Sequence, residues 1–481
     1  MKTAKYIIFP AHSLSAKYAP FSVSAKSQSM LIQMQGVKTA KIDHTDSGMR
    51  IIDSIHEDGA KLVEMTPEAY IQFRTVEPGL KILPLIWYSP TLIQQKIEVQ
   101  VQTTKAAVKI SVSVQSENGK PVDGAEVVAF TDYENKTGDS ATTNKKGLAS
   151  LNLGGAKKKV EVLMIYPKHS HWGLCKKDFF LTNNATFEVK DIDLKYEDGL
   201  MYFGKSNGNR GTGVNVAIID TGVGPNSDVV VTGGENTTGE DEKAYDDNGM
   251  FHGTHVAGII ACKKRGVAPN CNIYSYRVFR KGDEQASNYA ISKAIDRAVQ
   301  HGCQLINMSL GGGDPDEATK AAIEDARAKG SLVIVAAGND GGKVSFPASY
   351  QMAVAVSALG RKGTFPSDSV EIMDVAAPYG SDKKNFFAAF SNRGSEVDLI
   401  GPGVDIISTV PGDRYATMSG TSMACPAVTG LAACLLSDNA AILAMPADQG
   451  RSDAIAEMLY KSAVDLGFQL QYQGHGLPTL P

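Results

Sequence analysis

Residues 214–228 read VNVAIIDTGVGPNSD, an apolar run that ends in the carboxylate of Asp220 and then in Gly222, Gly224 and Pro225. A short apolar run of this kind suits a buried strand. Glycine permits backbone angles that other residues avoid and proline fixes its own, so the chain turns directly after the run. Asp220 therefore stands at a strand tip. Taken alone, such an aspartate is as readily an Asx-turn residue capping its own loop as a chemical group, and its meaning comes from the rest of the chain.

Downstream, the runs NVAIID, NIYSYRVF, QLINMS, SLVIVAA and AVAVSAL alternate with helical stretches. In the stretch 285–300, Ala290, Ile291, Ala294, Ile295, Ala298 and Val299 share one helix face, as packing on a sheet requires. Short apolar strands separated by amphipathic helices predict an α/β domain over 205–481, its mostly parallel sheet covered by helices on both faces. Sites in such sheets gather at the C-terminal ends of strands. Asp220 lies at such an end.

Upstream the pattern differs. Residues 1–100, with IIDSIHEDGAKLVEM, PEAYIQFRTV and LKILPLIWY, predict a small α+β unit of two or three strands and a short helix. Over 101–195, alternating runs such as AVKISVSVQ, EVVAF and KVEVLMIY are separated by turn signals such as ENGKPVDG and NKKG, which predicts antiparallel strands in a β-sandwich. FEVKDIDLKYEDGL connects it to the α/β domain.

The chain has 481 residues, of which 21% are charged and 43% hydrophobic, with a formal net charge of −4. No basic excess points to nucleic acid or an anionic membrane, and no apolar run reaches the ~18 residues of a membrane span. MKTAKYIIFPAHSLSAKY imitates a secretion signal, but Pro10 and His12 interrupt its apolar patch. It reads as a first strand, which favours a cytoplasmic protein with secretion as the alternative. Six sparse cysteines in apolar settings fit packed, reduced thiols better than a disulfide scaffold.

Two further segments bear on Asp220. FHGTHVAGIIA places His252 just before a helix start, and MSGTSMACPAVTGLAACLL places Ser422 at the start of an apolar helix interrupted by Pro426. Singly, these are a surface or core histidine and an N-cap. Together they are the groups that acyl transfer by serine needs: a hydroxyl, an imidazole, and a carboxylate that fixes the imidazole's tautomer. A hydroxyl at a helix start also feels the positive end of the helix dipole.

With VAIIDTGV, HGTHVAG, SLGGG, AAGN and GTSMACP in this order, residues 212–477 resemble the subtilisin-like serine peptidases. The resemblance implies Asp220 as the orienting carboxylate, His252 as general base and acid, Ser422 as nucleophile, and Asn339 as an oxyanion donor joined by the Ser422 N–H. It further implies that an extended protein or peptide substrate lies between two strand edges, Ser309, Leu310, Gly311 and Gly312 on one side and Ala336, Ala337 and Gly338 on the other. SFPASY resembles part of the first specificity pocket, with Phe346–Pro347 as a candidate cis bond.

The implied activity is a serine endopeptidase made as a self-processed zymogen, with part of residues 1–100 as an intramolecular inhibitor. The alternative is a catalytically silent binding or scaffold protein that keeps the fold. No cofactor is required, although family members often bind structural calcium, for which GEDEKAYDD and PSDSVE offer oxygen ligands. The β-sandwich resembles immunoglobulin-like or transthyretin-like modules and reads as a spacer or a protein-binding module. Three departures from the family pattern stand out: the longer NGMFHGTH loop, Ala427 after Pro426, and an insertion at 361–387.

Overall fold

The computed structural model describes residues 3–10, 13–15, 31–32, 48–77, 79–91, 99–101, 109–155, 157–204 and 210–480. The boundary at 205 and the residues around the boundary at 100–101 therefore fall wholly or partly outside the described residues.

Alternate residues of the strand Asn215–Asp220 face opposite sides of an eight-stranded sheet, and both sides are covered. Val216 and Ile218 share an apolar cluster with the helices His252–Ala261 and Thr421–Asp438. Ala217 and Ile219 share another with the helices Asn288–Gln300 and Glu317–Ala328. The strand order is Val231–Asn236, Asn272–Arg277, Asn215–Asp220, Leu305–Met308, Leu332–Ala336, Ala353–Arg361 and Asn385–Phe387, with Leu399–Pro402 also paired to Ala353–Arg361. All pairings are parallel except that of Asn385–Phe387. The α/β architecture with a largely parallel central sheet is thus what the alternation of strands and helices in the sequence implies.

Local chemistry fixes the helix starts. The Ser287 side chain accepts from Ala290 N ahead of Asn288–Gln300, and Asp316 accepts from Thr319 N ahead of Glu317–Ala328. Ile295 is fully buried on the face turned to the sheet. Truncating such a residue to alanine costs about 2–5 kcal/mol.

The N-terminal residues form a four-stranded antiparallel sheet in the order Met49–Ser54, Lys61–Met65, Ala4–Pro10, Leu80–Pro84, with the helix Pro67–Val76 on one face. The period-two rule explains how it docks. In Ala4–Pro10, Ile8 faces its own helix, whereas Ile7 and Phe9 join the apolar cluster of Ala290, Ala294, Ala298 and Ile323 on the α/β domain. Polar contacts close the rim: His56 Nε2 to Asp296 Oδ1 at 2.8 Å, Lys293 Nζ to Asp53 Oδ2 at 2.9 Å, and Leu14 N to Asp325 Oδ2 at 3.0 Å.

Between these units, a three-stranded sheet (Leu148–Asn152, Lys109–Ser116, Ala185–Val189) and a five-stranded sheet share one apolar core, in which Val112 and Leu151 meet Val127, Ala129 and Leu163. The outer face of the five-stranded sheet, with Val128, Phe130, Val162 and Met164, packs on Val370 of the 361–387 segment. Cys175 N donates to Asp368 O at 2.7 Å at the same junction. The insertion is therefore a dock for the middle unit. Downstream, Asp198 pairs with Arg265 at 2.8 Å and accepts from Ile407 N, which ties the connecting segment to the α/β core. All six cysteines are buried and unbridged. Among the described residues no helix is long and apolar enough to cross a membrane.

Candidate functional site

Asp220 ends its strand fully buried, and its Oδ1 accepts two hydrogen bonds, from Thr221 N at 2.7 Å and from His252 Nδ1 at 2.7 Å. A proton on Nδ1 leaves the lone pair on Nε2, which has no hydrogen-bond partner among the described residues. The loop that delivers His252 turns at Phe251, which adopts a left-handed φ of 69°. Asp247 holds that turn, accepting from Phe251 N and Gly249 N through Oδ1 and from Thr254 Oγ1 through Oδ2. The longer NGMFHGTH loop thus carries its own anchor. One turn on, His255 is buried, and burial lowers its pKa to about 3, so the ring stays neutral and brings no positive charge beside His252. Its Nε2–H faces the carbonyls of Ile406 and Ala416, each at 3.1 Å.

Ser422 is buried in the first turn of Thr421–Asp438. Pro426, inside that helix, has no N–H to offer the carbonyl four residues earlier. Ser309 Oγ supplies the missing bond, donating to Ser422 O at 3.1 Å, while Ser422 Oγ donates to Ser309 O at 3.1 Å. With that proton so placed, Thr91 Oγ1–H donates to Ser422 Oγ at 2.5 Å.

Thr91 comes from the N-terminal unit, and the chain before it lies in the cleft as an added strand. Trp87–Pro90 pairs antiparallel with Leu310–Gly311, Ser89 opposite Gly311 and Pro90 opposite Leu310. On its other side Tyr88 lies opposite Ala286 and Trp87 opposite Ser287. Thr91 N donates to Ser309 O at 3.2 Å. Thr91 O accepts from Asn339 Nδ2 at 2.5 Å. The other end of that amide is committed, since Asn339 Oδ1 accepts from Thr421 N and Thr421 Oγ1, each at 2.9 Å. A side chain at Gly420 would collide with this arrangement: a Cβ there would sit 2.7 Å from Thr91 O and 3.1 Å from Asn339 Nδ2.

Of the first edge expected from the sequence, Ser309, Leu310 and Gly311 meet Trp87–Thr91, whereas Gly312 N donates to Phe346 O at 3.2 Å. Ala336–Gly338 is not the other. Ala337 N–H is spent on Val356 O, Ala337 O accepts from Ser345 N and Asn392 Nδ2, and Gly338 N donates to Thr421 Oγ1, so no free edge remains there. The second edge is Ala286–Ser287, which sequence reasoning missed along with Thr91 and Asp247. Phe346–Pro347 is cis.

The two acidic stretches suggested for calcium spend carboxylates on protein partners: Glu240 on Arg277, Asp247 on its loop, Asp368 on Lys190, and Glu371 on Ser419. Among the described residues no group of three or more His, Cys, Asp or Glu side chains is arranged to hold a metal ion.

Asn339 Nδ2 and the Ser422 hydroxyl both meet Thr91, and Asp220 orients His252 through Nδ1; carboxylate, imidazole, hydroxyl and amide are the groups that acyl transfer uses. Comparison with known proteins agrees. Residues 211–476 match the model of the Subtilase family (Peptidase S8). Over 240 residues the chain is 35% identical to an alkaline protease of Alkalihalobacillus alcalophilus, covering 49% of this chain and 57% of that protein. It is also 35% identical to Subtilisin Savinase of Lederbergia lenta, covering 80% of that protein, and 40% identical over 237 residues to a thermophilic serine proteinase of Bacillus sp. (strain AK1), covering 53%. The chain thus spans just over half the length of the alkaline protease and the thermophilic proteinase. The family match takes in the Asp220, His252 and Ser422 segments and supports serine endopeptidase activity, and the chain belongs to the subtilase family.

Proposed function

We propose that this chain is a serine endopeptidase whose first substrate is itself, cut on the C-terminal side of Thr91. One observation carries the reading: the Thr91 carbonyl accepts from Asn339 while the Thr91 side chain touches the Ser422 hydroxyl, with the preceding residues paired as a substrate strand.

A rotation of the Ser422 side chain carries its hydroxyl from Ser309 O to His252 Nε2. His252 then takes the proton as Oγ bonds to the Thr91 carbonyl carbon, and Asn339 Nδ2 with Ser422 N–H holds the resulting oxyanion. The imidazolium, stabilised by Asp220, gives its proton to the departing amine, and the Thr91–leaving-group bond breaks. That leaves a Thr91–Ser422 ester, which water hydrolyses with His252 as base. Every proton is handled by this chain's own groups.

In this reading residues 1–91 remain docked after the cut and restrain the peptidase. The apolar contacts of Ile7 and Phe9 and the polar rim support this. The middle unit, docked on 361–387, acts as a fixed module rather than a free spacer. Six buried, unbridged thiols support a reducing, cytoplasmic setting.

A serine-directed acylating probe tests the activity: it labels the wild-type protein and fails on Ser422→Ala. Intact mass tests the cut: wild-type protein yields a fragment ending at Thr91, and Ser422→Ala remains whole. Labelling of both proteins, or a cut elsewhere, contradicts the reading.

A further inference from the structure

The strand in the cleft carries one large side chain that the reaction does not explain. Tyr88, three residues before Thr91, is fully buried in the apolar cluster of Ala286, Leu310 and Ala318. Its ring lies over Gly313, where a Cβ would come within 2.7 Å of it, so only glycine leaves the slot open. At the far end of the slot the phenol hydroxyl donates to Asp316 Oδ2.

Asp316 is held rigidly to receive that bond. It is 6% exposed, its Oδ1 accepts from Thr319 N at 2.8 Å and from Asn288 Nδ2 at 3.2 Å, and its backbone N–H and carbonyl are both bonded to Tyr350 Oη at 2.7 Å. Asn288 also donates its N–H to Ile86 O, so the residue that braces Asp316 also guides the strand carrying Tyr88. Burial and the neighbouring Asp316 charge both push the Tyr88 pKa up, keeping the phenol protonated as a donor. An apolar slot closed by glycine accepts any aromatic ring. A carboxylate at its end adds a demand for a hydroxyl, because a ring without one leaves a buried carboxylate oxygen unpaired.

We propose that Asp316 is a specificity-determining residue that makes this peptidase select tyrosine over phenylalanine three positions before the residue whose carbonyl is attacked. This rests on reading Trp87–Thr91 as lying in the position of a substrate. Its own leader then displays the preferred sequence, and the proteins it cleaves in trans carry a tyrosine at that spacing.

The test uses self-processed wild-type protein and two p-nitroanilide peptides, Tyr-Ser-Pro-Thr and Phe-Ser-Pro-Thr. The tyrosine peptide is expected to show kcat/KM higher by roughly tenfold or more. In Asp316→Ser, where a short hydroxyl still offers a helix cap but does not reach the phenol, the ratio falls to within about twofold. Equal rates in wild-type protein overturn the selectivity while leaving the substrate reading of Trp87–Thr91 intact. If neither peptide is cut by a preparation that digests unrelated polypeptides, that substrate reading fails and the proposal with it. Should Asp316→Ser not fold, the wild-type ratio alone decides, backed by Tyr88→Phe in the full chain. There, the cut after Thr91, followed by intact mass, slows by a similar factor if the proposal holds and is unchanged if it does not.

Discussion

Ser309 and Ser422 are joined twice, hydroxyl to carbonyl in each direction, both at 3.1 Å. The pair clamps the strand edge on which Trp87–Pro90 lies to the helix that carries Ser422, and Pro426 is the reason the clamp is needed. Ser309→Ala leaves Ser422 O without its donor. We expect a loss of about 1–3 kcal/mol in stability, measured by denaturant unfolding in a Ser422→Ala background, and a lower kcat when Ser422 is intact. Unchanged stability would mean that the carbonyl finds another donor.

Asn339→Ala removes the donor aimed at the Thr91 carbonyl. The expected result is a fall of about 10²–10³ in kcat for a peptide substrate, with KM changing far less, because the oxyanion gains more from that bond than the ground-state carbonyl does. Gly420→Ala acts on the same carbonyl by steric exclusion and raises KM as well. Steady-state kinetics on both variants separates the two effects.

At the junction of the middle unit and the α/β domain, burial raises the Asp374 carboxyl to about 6 and pushes the carboxyls of Glu371 and Asp405 up as well. Tyr133, Tyr166 and Cys175 face them from the five-stranded sheet. A carboxyl that keeps its proton to higher pH when folded favours folding below the ordinary carboxylate range and loses that advantage as pH rises through its folded value. The Tm of the Ser422→Ala chain is therefore expected to carry a component that falls between about pH 4 and pH 7. Glu371→Gln with Asp405→Asn reduces that component to the share of Asp374 and gains about 1–3 kcal/mol at neutral pH. Asn suits position 405, where φ is 54°. Parallel pH curves for parent and variant would refute the assignment.

Asp325 accepts from both Ser13 Oγ and Leu14 N across the docking face of the N-terminal unit, and burial raises its pKa. Asp325→Ala is expected to loosen that unit without unfolding the sheet behind it. In the Ser422→Ala chain, amide exchange in Ala4–Pro10 accelerates about tenfold while Asn215–Asp220 keeps its protection. Equal protection in both proteins would place the grip in the apolar contacts alone.

The sequence made legible what is local. Strand Asn215–Asp220 and helix Asn288–Gln300 follow from periodicity, and the segments around Asp220, His252, Asn339 and Ser422 carry residue types that chemistry restricts. What stayed hidden depends on distant pairs. Thr91 meets Ser422 across 331 residues, and nothing in YSPT announces that it will lie in a cleft. The family resemblance implied Ala336–Gly338 as an edge, but only the fold reveals that the N–H and carbonyl groups of Ala337 and Gly338 are already paired. The insertion at 361–387 likewise gave no periodic signal, since its single turn at Val370–Asp374 is defined by the sheet it supports.

Chain connectivity gives the position of Thr91 a further meaning. The middle unit follows Thr91 in the sequence, so a cut after Thr91 leaves that unit on the peptidase and severs only residues 1–91. Before the cut, the face bearing Ile7 and Phe9 meets the helices Asn288–Gln300 and Glu317–Ala328 at an effective concentration fixed by the tether. After it, the same contact is an association between two molecules and obeys mass action. Under the restraint proposed above, the cut pair would be silent at high protein concentration and active on dilution, so that the volume available to the products, rather than any added effector, would set when proteolysis begins.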